Sequence, residues 1–479
     1  MAGIGFQLKK IVRENSFLSR VKAYAFSSIV IVGPMALCIF IIASAQFFLT
    51  MLGTPQQEKE LFLAGTEYSF IFSQLLTGFF TMFLSRYLAD QIYSKNENFV
   101  LSSLFGMIAI CMFIAVICGL VFYIPSPLSW EFKLVSYLFF IELIIIWLQS
   151  VYISALQEYK KIILGFLLGT TISFTAFFIS FKILGFHSAI ASFICMDIGF
   201  FVILLSFFRE IKKLFPVNNK QYFNFLHYVD KYPSLLFIGF FYMVGLYGHS
   251  LIIWFANAQQ GALEKLIGKT FITAPVYDVP VFYAYLSILP AMVMFVVSTE
   301  TNFYEKYKTY YSRILGAFSY NEINAAKRDM FKVLQRELTV IMEFQVVFSL
   351  AALVLGINLL PEIGLKSEQI NTFILITIGN TFFILMFIMM LLLLYFDDRK
   401  GSLSVISIYT GSNLLLTYLF VNTDQLGMSC LISAFIGFSV AIARLSHYMK
   451  NLDYYTFCSQ PLVVKQRKSL FQRFIKRVN

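Results

Sequence analysis

"NTFILITIGNTFFILMFIMMLLLLYFDDRK" (371–400) carries no charged side chain from Asn371 to Phe396 and then four in succession, Asp397, Asp398, Arg399 and Lys400. A helix needs roughly 20 apolar residues to cross a hydrocarbon core of ~30 Å. The apolar residues do not alternate with polar ones, so a barrel strand is the wrong reading and a transmembrane helix the right one. Similar runs recur along the chain, at about 25–49, 67–89, 99–124, 134–156, 161–183, 187–208, 233–255, 279–303, 338–360, 369–396, 402–422 and 425–447. The expected fold is an all-α integral membrane protein with twelve transmembrane helices in two six-helix bundles.

Composition agrees: 59% of the 479 residues are hydrophobic and 13% charged, against about a quarter charged in soluble domains. Most of the 37 Lys and Arg fall in alternate connections if the N-terminus is inside, which places both termini in the cytoplasm by the positive-inside rule. The net charge of +11 is thereby spread over one membrane face, where it meets anionic lipid, and nucleic acid is not an expected partner. The organisation is an N-terminal amphipathic helix lying in the interface (1–24), a first bundle (25–208), a cytoplasmic linker (209–232), a second bundle (233–447) and a basic tail (448–479). Within the second bundle, 304–337 forms a cytoplasmic amphipathic region. The leader is too long and its apolar run too complete for a cleaved signal peptide.

Enzyme signatures are missing from the sequence. Gly268-Lys269-Thr270 looks like the end of a phosphate-binding loop, but its spacing from Gly261 is wrong and it falls on the outer side. There is no His-Glu-x-x-His helix and no paired-cysteine metal site, so no metal or cofactor is expected. The six cysteines read as packing residues.

An ionisable side chain inside a span costs ~2.5–3.5 kcal/mol on the insertion scale and marks a pathway or an interhelical partner. Glu142, Asp197, His249 and Glu343, with polar Asn380, are the candidates for a substrate conduit. Arg86 and Asp90 are four apart and pair. Residues 291–315 lack Pro and Gly, so the eighth span continues into the cytoplasm as one helix. Glu300, Phe303, Tyr304, Tyr307, Tyr310 and Tyr311 then share a face at the cytoplasmic mouth. That face anchors the helix among lipid headgroups, stacks sugar rings at an entrance, or docks a transferase.

Four stretches carry a resemblance: "MAGIGFQLKKIV" (1–12), "SSIVIVGP" (27–34), the block "APVYDVPVFYAYLSILPAMVMFVVSTETNFYEKYKTYYSRI" (274–314) and "LLYFDDRK" (393–400). Together they resemble the PelG family, the membrane subunit of Pel exopolysaccharide export systems within the multidrug/oligosaccharidyl-lipid/polysaccharide flippase superfamily. The resemblance implies export of an N-acetylgalactosamine-rich polysaccharide made by the cytosolic glycosyltransferase PelF. It also implies the partners PelD, a cyclic di-GMP-sensing membrane protein, and PelE. A cation-coupled antiporter using Glu142 or Asp197, a lipid-linked oligosaccharide flippase, and a membrane scaffold for the transferase are the alternatives.

Overall fold

The computed structural model describes residues 17–155, 158–256 and 263–459. Most of the 1–24 amphipathic segment and of the 448–479 tail lies outside these residues; from Phe17 the chain is already in the helix that becomes span 1. Among the described residues, twelve helices are long and apolar enough to cross a membrane: spans 1 to 6 are Val21–Met51, Gln56–Tyr93, Glu97–Tyr123, Trp130–Ala155, Tyr159–Ile183 and Ala189–Leu214. Spans 7 to 12 are Pro233–Phe255, Pro275–Leu315, Tyr320–Leu359, Ser367–Tyr395, Arg399–Phe420 and Met428–Lys450.

Their packing repeats. Span 1 lies on 5, 5 on 6, 6 on 4, and 4 on both 2 and 3; adding six to each number gives the second half, with 7 on 11, 11 on 12, 12 on 10, and 10 on both 8 and 9. Six spans per half give both bundles the same direction, so they are parallel repeats about an axis along the membrane normal. The repeat is invisible residue by residue because lipid-facing and core positions accept any apolar side chain of suitable size.

Two seams join the bundles, span 2 against span 7 and span 1 against span 8. The first runs the length of both helices. Arg86 lies over the Tyr232 ring at 5.3 Å at one end, and Tyr68 stacks on Trp254 at 5.0 Å at the other. Between them Tyr247 donates a hydrogen bond to Gln74, and Gly78 faces Gly239 so closely that a Cβ on Gly239 would sit 2.3 Å from the Gly78 carbonyl oxygen. We call the end near Arg86 the basic end and the other the hairpin end.

The hairpin is the strand pair β1 (Lys265–Ile267) and β2 (Phe271–Thr273). Gly268 and Lys269 both have positive φ, and Thr270 N–H closes the turn on the Ile267 carbonyl. This is the geometry of a type I′ turn, which glycine accommodates without strain. The phosphate-loop lookalike is therefore a hairpin turn.

Three expectations need correction. Span 8 is not one uninterrupted helix through 291–315: a π-turn at Thr299–Phe303 separates Leu289–Ser298 from Tyr304–Leu315. The insertion needs no Pro or Gly, because Glu337 of span 9 binds its polar residues, accepting from Ser298 Oγ at 2.8 Å and Asn302 Nδ2 at 3.0 Å. The span also starts earlier, at Pro275, a proline at the first helical turn where no intrahelical N–H is needed. Finally, the later part of the 304–337 amphipathic region, expected as a stretch of its own before a span at 338–360, is not separate from span 9. It is the first part of one 40-residue helix, Tyr320–Leu359, started by a Ser319/Glu322 capping box.

The charged step in the opening stretch also has a structural account. Asp398 caps span 11 through Gly401 N–H at 3.0 Å and takes a two-pronged salt bridge from Arg444 of span 12, at 2.7 and 2.9 Å. Arg86 and Asp90 pair at 3.3 Å as expected.

The glycine seam can be tested by thermal unfolding of the detergent-solubilised protein. Gly239→Ala should cost ~1–3 kcal/mol through overpacking, whereas Gly411→Ala, whose Cβ would meet nothing, should be neutral or slightly stabilising. Equal behaviour of the two variants would remove the close-contact account.

Candidate functional site

Glu142 of span 4 and Asp197 of span 6 lie near each other where those two helices pack inside the first bundle. They are 3% and 6% exposed, and Glu142 Oε2 and both Asp197 oxygens have no hydrogen-bond partner. Phe139, one turn before Glu142, lies 5.8 Å from Phe193 and 5.0 Å from Phe200, which stand one turn either side of Asp197. Two carboxylates in such surroundings cannot both stay ionised without a cation; a proton or a bound monovalent ion has to compensate them. Asn380 lies near the middle of span 10, the second-bundle counterpart of span 4, and its Nδ2 is likewise buried without a partner.

His249 lies apart, in the core of the second bundle. Tyr285 donates to the Leu246 carbonyl at 3.1 Å, so His249 Nε2–H donates to Tyr285 at 3.0 Å and Nδ1 accepts from Tyr277 at 3.0 Å. Tyr277 also meets Cys430 Sγ at 3.4 Å, and Asn413 Nδ2 donates to the Gly245 carbonyl at 3.1 Å. The histidine thus ties spans 7, 8 and 12 together with both ring nitrogens occupied. Glu343 is exposed on span 9, away from these groups.

Sequence reasoning missed two carboxylates at the hairpin end of the seam between spans 2 and 7. Glu67 of span 2 lies beside Asp278 of span 8, bringing an acid from each bundle together. Asp278 Oδ2 accepts from Trp254 Nε1 and from Ala274 N–H, both at 2.8 Å. The expected spans began at Glu67 and just after Asp278, so both residues read as boundary charges. The prolines flanking Asp278 in "APVYDVP" were the available sign that the helix starts before it.

The aromatic face of residues 303–311 is largely a packing surface. Phe303 and Tyr310 are buried. Phe303 meets Tyr395 at 5.5 Å, and Tyr307 lies 4.6 Å from both Tyr395 and Tyr311. Tyr304 and Tyr311 are half-buried. Glu300 sits in the π-turn, and its side chain lies outside the described ones. A polymer could not stack on Phe303 or Tyr310 in this conformation. A cavity of about 640 Å³ opens instead at the other seam, lined by Tyr24, Ser28 and Val32 of span 1, Pro290 and Met294 of span 8, and Phe344 of span 9.

Residues 1–457 match the family model PelG, exopolysaccharide exporter (EPS-E). The chain belongs to the PelG family. Comparison with curated proteins finds no match. Among solved structures, the Vibrio cholerae MATE transporter VcmN is similar at a TM-score of 0.63 and 11% identity, covering 95% of this chain and 99% of that one. A MOP-superfamily transporter from Pyrococcus furiosus gives 0.60 and 13%, with 90% and 96% covered. A MATE protein in its straight conformation gives 0.59 and 12%, with 90% and 97% covered. At these identities the likeness establishes the fold alone, the twelve-helix, two-bundle arrangement of these MATE and MOP-superfamily structures. With the family, it makes the chain a multi-pass membrane transporter.

Tyr310→Ala should destabilise the folded protein by about 3–5 kcal/mol, the range for large buried aromatic side chains, while Tyr304→Ala should cost far less. Comparing their unfolding midpoints checks this; equal losses would mean the two rings are equally packed.

Proposed function

We propose that the chain exports an N-acetylgalactosamine-rich Pel polysaccharide across the bacterial cytoplasmic membrane during biofilm matrix production. The carrying observation is the family match over residues 1–457 on a two-bundle transporter fold. The lysine and arginine bias supports an orientation with the basic end and both termini in the cytoplasm, so that polymer enters from the basic end. The chain does no covalent chemistry in this reading. PelF makes the polymer, and PelD, which senses cyclic di-GMP, and PelE are the accessory membrane partners. Span 9 and the helix Tyr304–Leu315 offer the docking surface at that end.

One observation favours a second reading, that transport is driven by a cation. Glu142 and Asp197, 3% and 6% exposed and with Glu142 Oε2 and both Asp197 oxygens unpartnered, suit a proton or a monovalent ion better than a sugar, because an acid buried within the spans has no room beside it for a polymer. Purified, reconstituted protein carrying Glu142→Gln with Asp197→Asn should lose cation-driven transport while remaining folded. Undiminished transport would remove the pair from the coupling scheme.

The export reading is tested by gentle purification from native membranes. A glycosyltransferase and a cyclic di-GMP-binding membrane protein should co-purify, and Glu300→Ala with Tyr304→Ala should lower polymer secretion several-fold at unchanged protein level. A solitary protein that moves small cations in vesicles would overturn export in favour of antiport.

A further inference from the structure

The β1–β2 hairpin belongs to the connection between spans 7 and 8, hence to the second bundle, yet much of its docking is on the first. Lys265 pairs with Glu60 of span 2 at 2.6 Å. Thr270 Oγ1 shares a hydrogen bond with Ser126, in the connection between spans 3 and 4, at 2.7 Å. The turn residue Gly268 lies against the first bundle so tightly that a Cβ there would come within 2.8 Å of Leu128.

The strongest link is Tyr68 of span 2. Its hydroxyl donates to the Ile272 carbonyl at 2.7 Å and accepts from the Ile272 N–H at 3.0 Å. One side chain therefore satisfies both main-chain groups of Ile272, as a third strand would. Next to Ile272, Phe271 is fully buried, 5.0 Å from Tyr68 and 5.6 Å from Phe122 of span 3. The opposite face of this arrangement is the Tyr68–Trp254 stack, which lies on the seam itself.

A hairpin of three residues per strand does not hold its shape alone in water. Its order depends on the surface it grips, so docking on the first bundle and forming the strand pair are one event. These contacts are hydrogen bonds, one ion pair, one aromatic plug and the packing of Gly268 on Leu128, all reversible, and they bridge two bodies whose relative rocking is how such repeats alternate access.

We infer that the hairpin is a clasp: docked on Tyr68, Ser126 and Glu60 it holds the hairpin end of the two bundles together, and it unhooks from the first bundle when that end opens. The inference goes beyond the export reading and does not depend on the cargo.

The test uses the full chain in lipid nanodiscs, with spin labels at Pro127→Cys and Lys366→Cys, one exposed site on each bundle at this end, after replacing the exposed Cys118 and Cys458 with serine. Tyr68→Phe, which keeps the ring but removes the link to Ile272, should shift the inter-label distances toward longer values, and Phe271→Ala should do so further. A disulfide between Ser126→Cys and Thr270→Cys, formed before labelling in a version labelled by an orthogonal non-cysteine chemistry at 127 and 366, should leave only the shorter distances until reduced. In cells that secrete polymer, the same disulfide should cut secretion at least tenfold, with recovery on reduction. Distances that ignore all three changes would overturn the clasp. Undiminished secretion by the locked protein would overturn its need to unhook. If the unlocked protein moves no polymer, the export reading fails and the distance measurements still decide the clasp.

Discussion

Two backbones meet without side chains between them at Gly78 and Gly239. That contact lets spans 2 and 7 run side by side from Arg86 to Trp254, and much of the fold is arranged about it. Because each bundle repeats the packing of the other, the contact between spans 2 and 7 has its counterpart in that between spans 8 and 1. The two seams are not equally filled. One is closed by glycines, a tyrosine–glutamine hydrogen bond and a hairpin; the other holds a cavity. Duplicated architecture with unequal seams gives the molecule a tight side and a loose side.

Polar groups in the two bundles are handled differently. In the second bundle His249, Tyr277 and Tyr285, with Cys430 linking Tyr277 to Asn413, form a connected network in which the histidine has partners at both nitrogens, an arrangement that fixes helix positions. In the first, Glu142 Oε2 and both Asp197 oxygens are buried without donors. Satisfied groups hold structure; buried acids without donors need a proton or an ion beside them.

The number of spans was legible from 371–400 outward, because a long unbroken apolar run has one solution in a bilayer. The bundle division followed from parity and basic residues. The internal repeat was not legible, since it resides in which helices touch, and many sequences meet that requirement. The π-turn at Thr299–Phe303 was hidden because its cause, Glu337, lies on another helix. Helical-wheel geometry grouped Phe303, Tyr307, Tyr310 and Tyr311 on one face, but could not say that Tyr395 and Phe396 would cover much of it. Glu67 and Asp278 sat at span boundaries, where a charge looks ordinary; only the fold shows that the two boundaries coincide.

Span 9 has a mechanical consequence. Its 40 residues make a rod of about 60 Å, and roughly half of that length suffices to cross the hydrocarbon. The remainder stands out at the basic end, tied by Lys327 to Asp453 beyond span 12 and by Glu337 to the π-turn of span 8. A continuous helix has no joint at the membrane surface, so a tilt of about 10° inside the bilayer displaces the far tip by about 5 Å. Such a lever amplifies small rearrangements among the spans and delivers them, as sideways travel, to whatever rests on it.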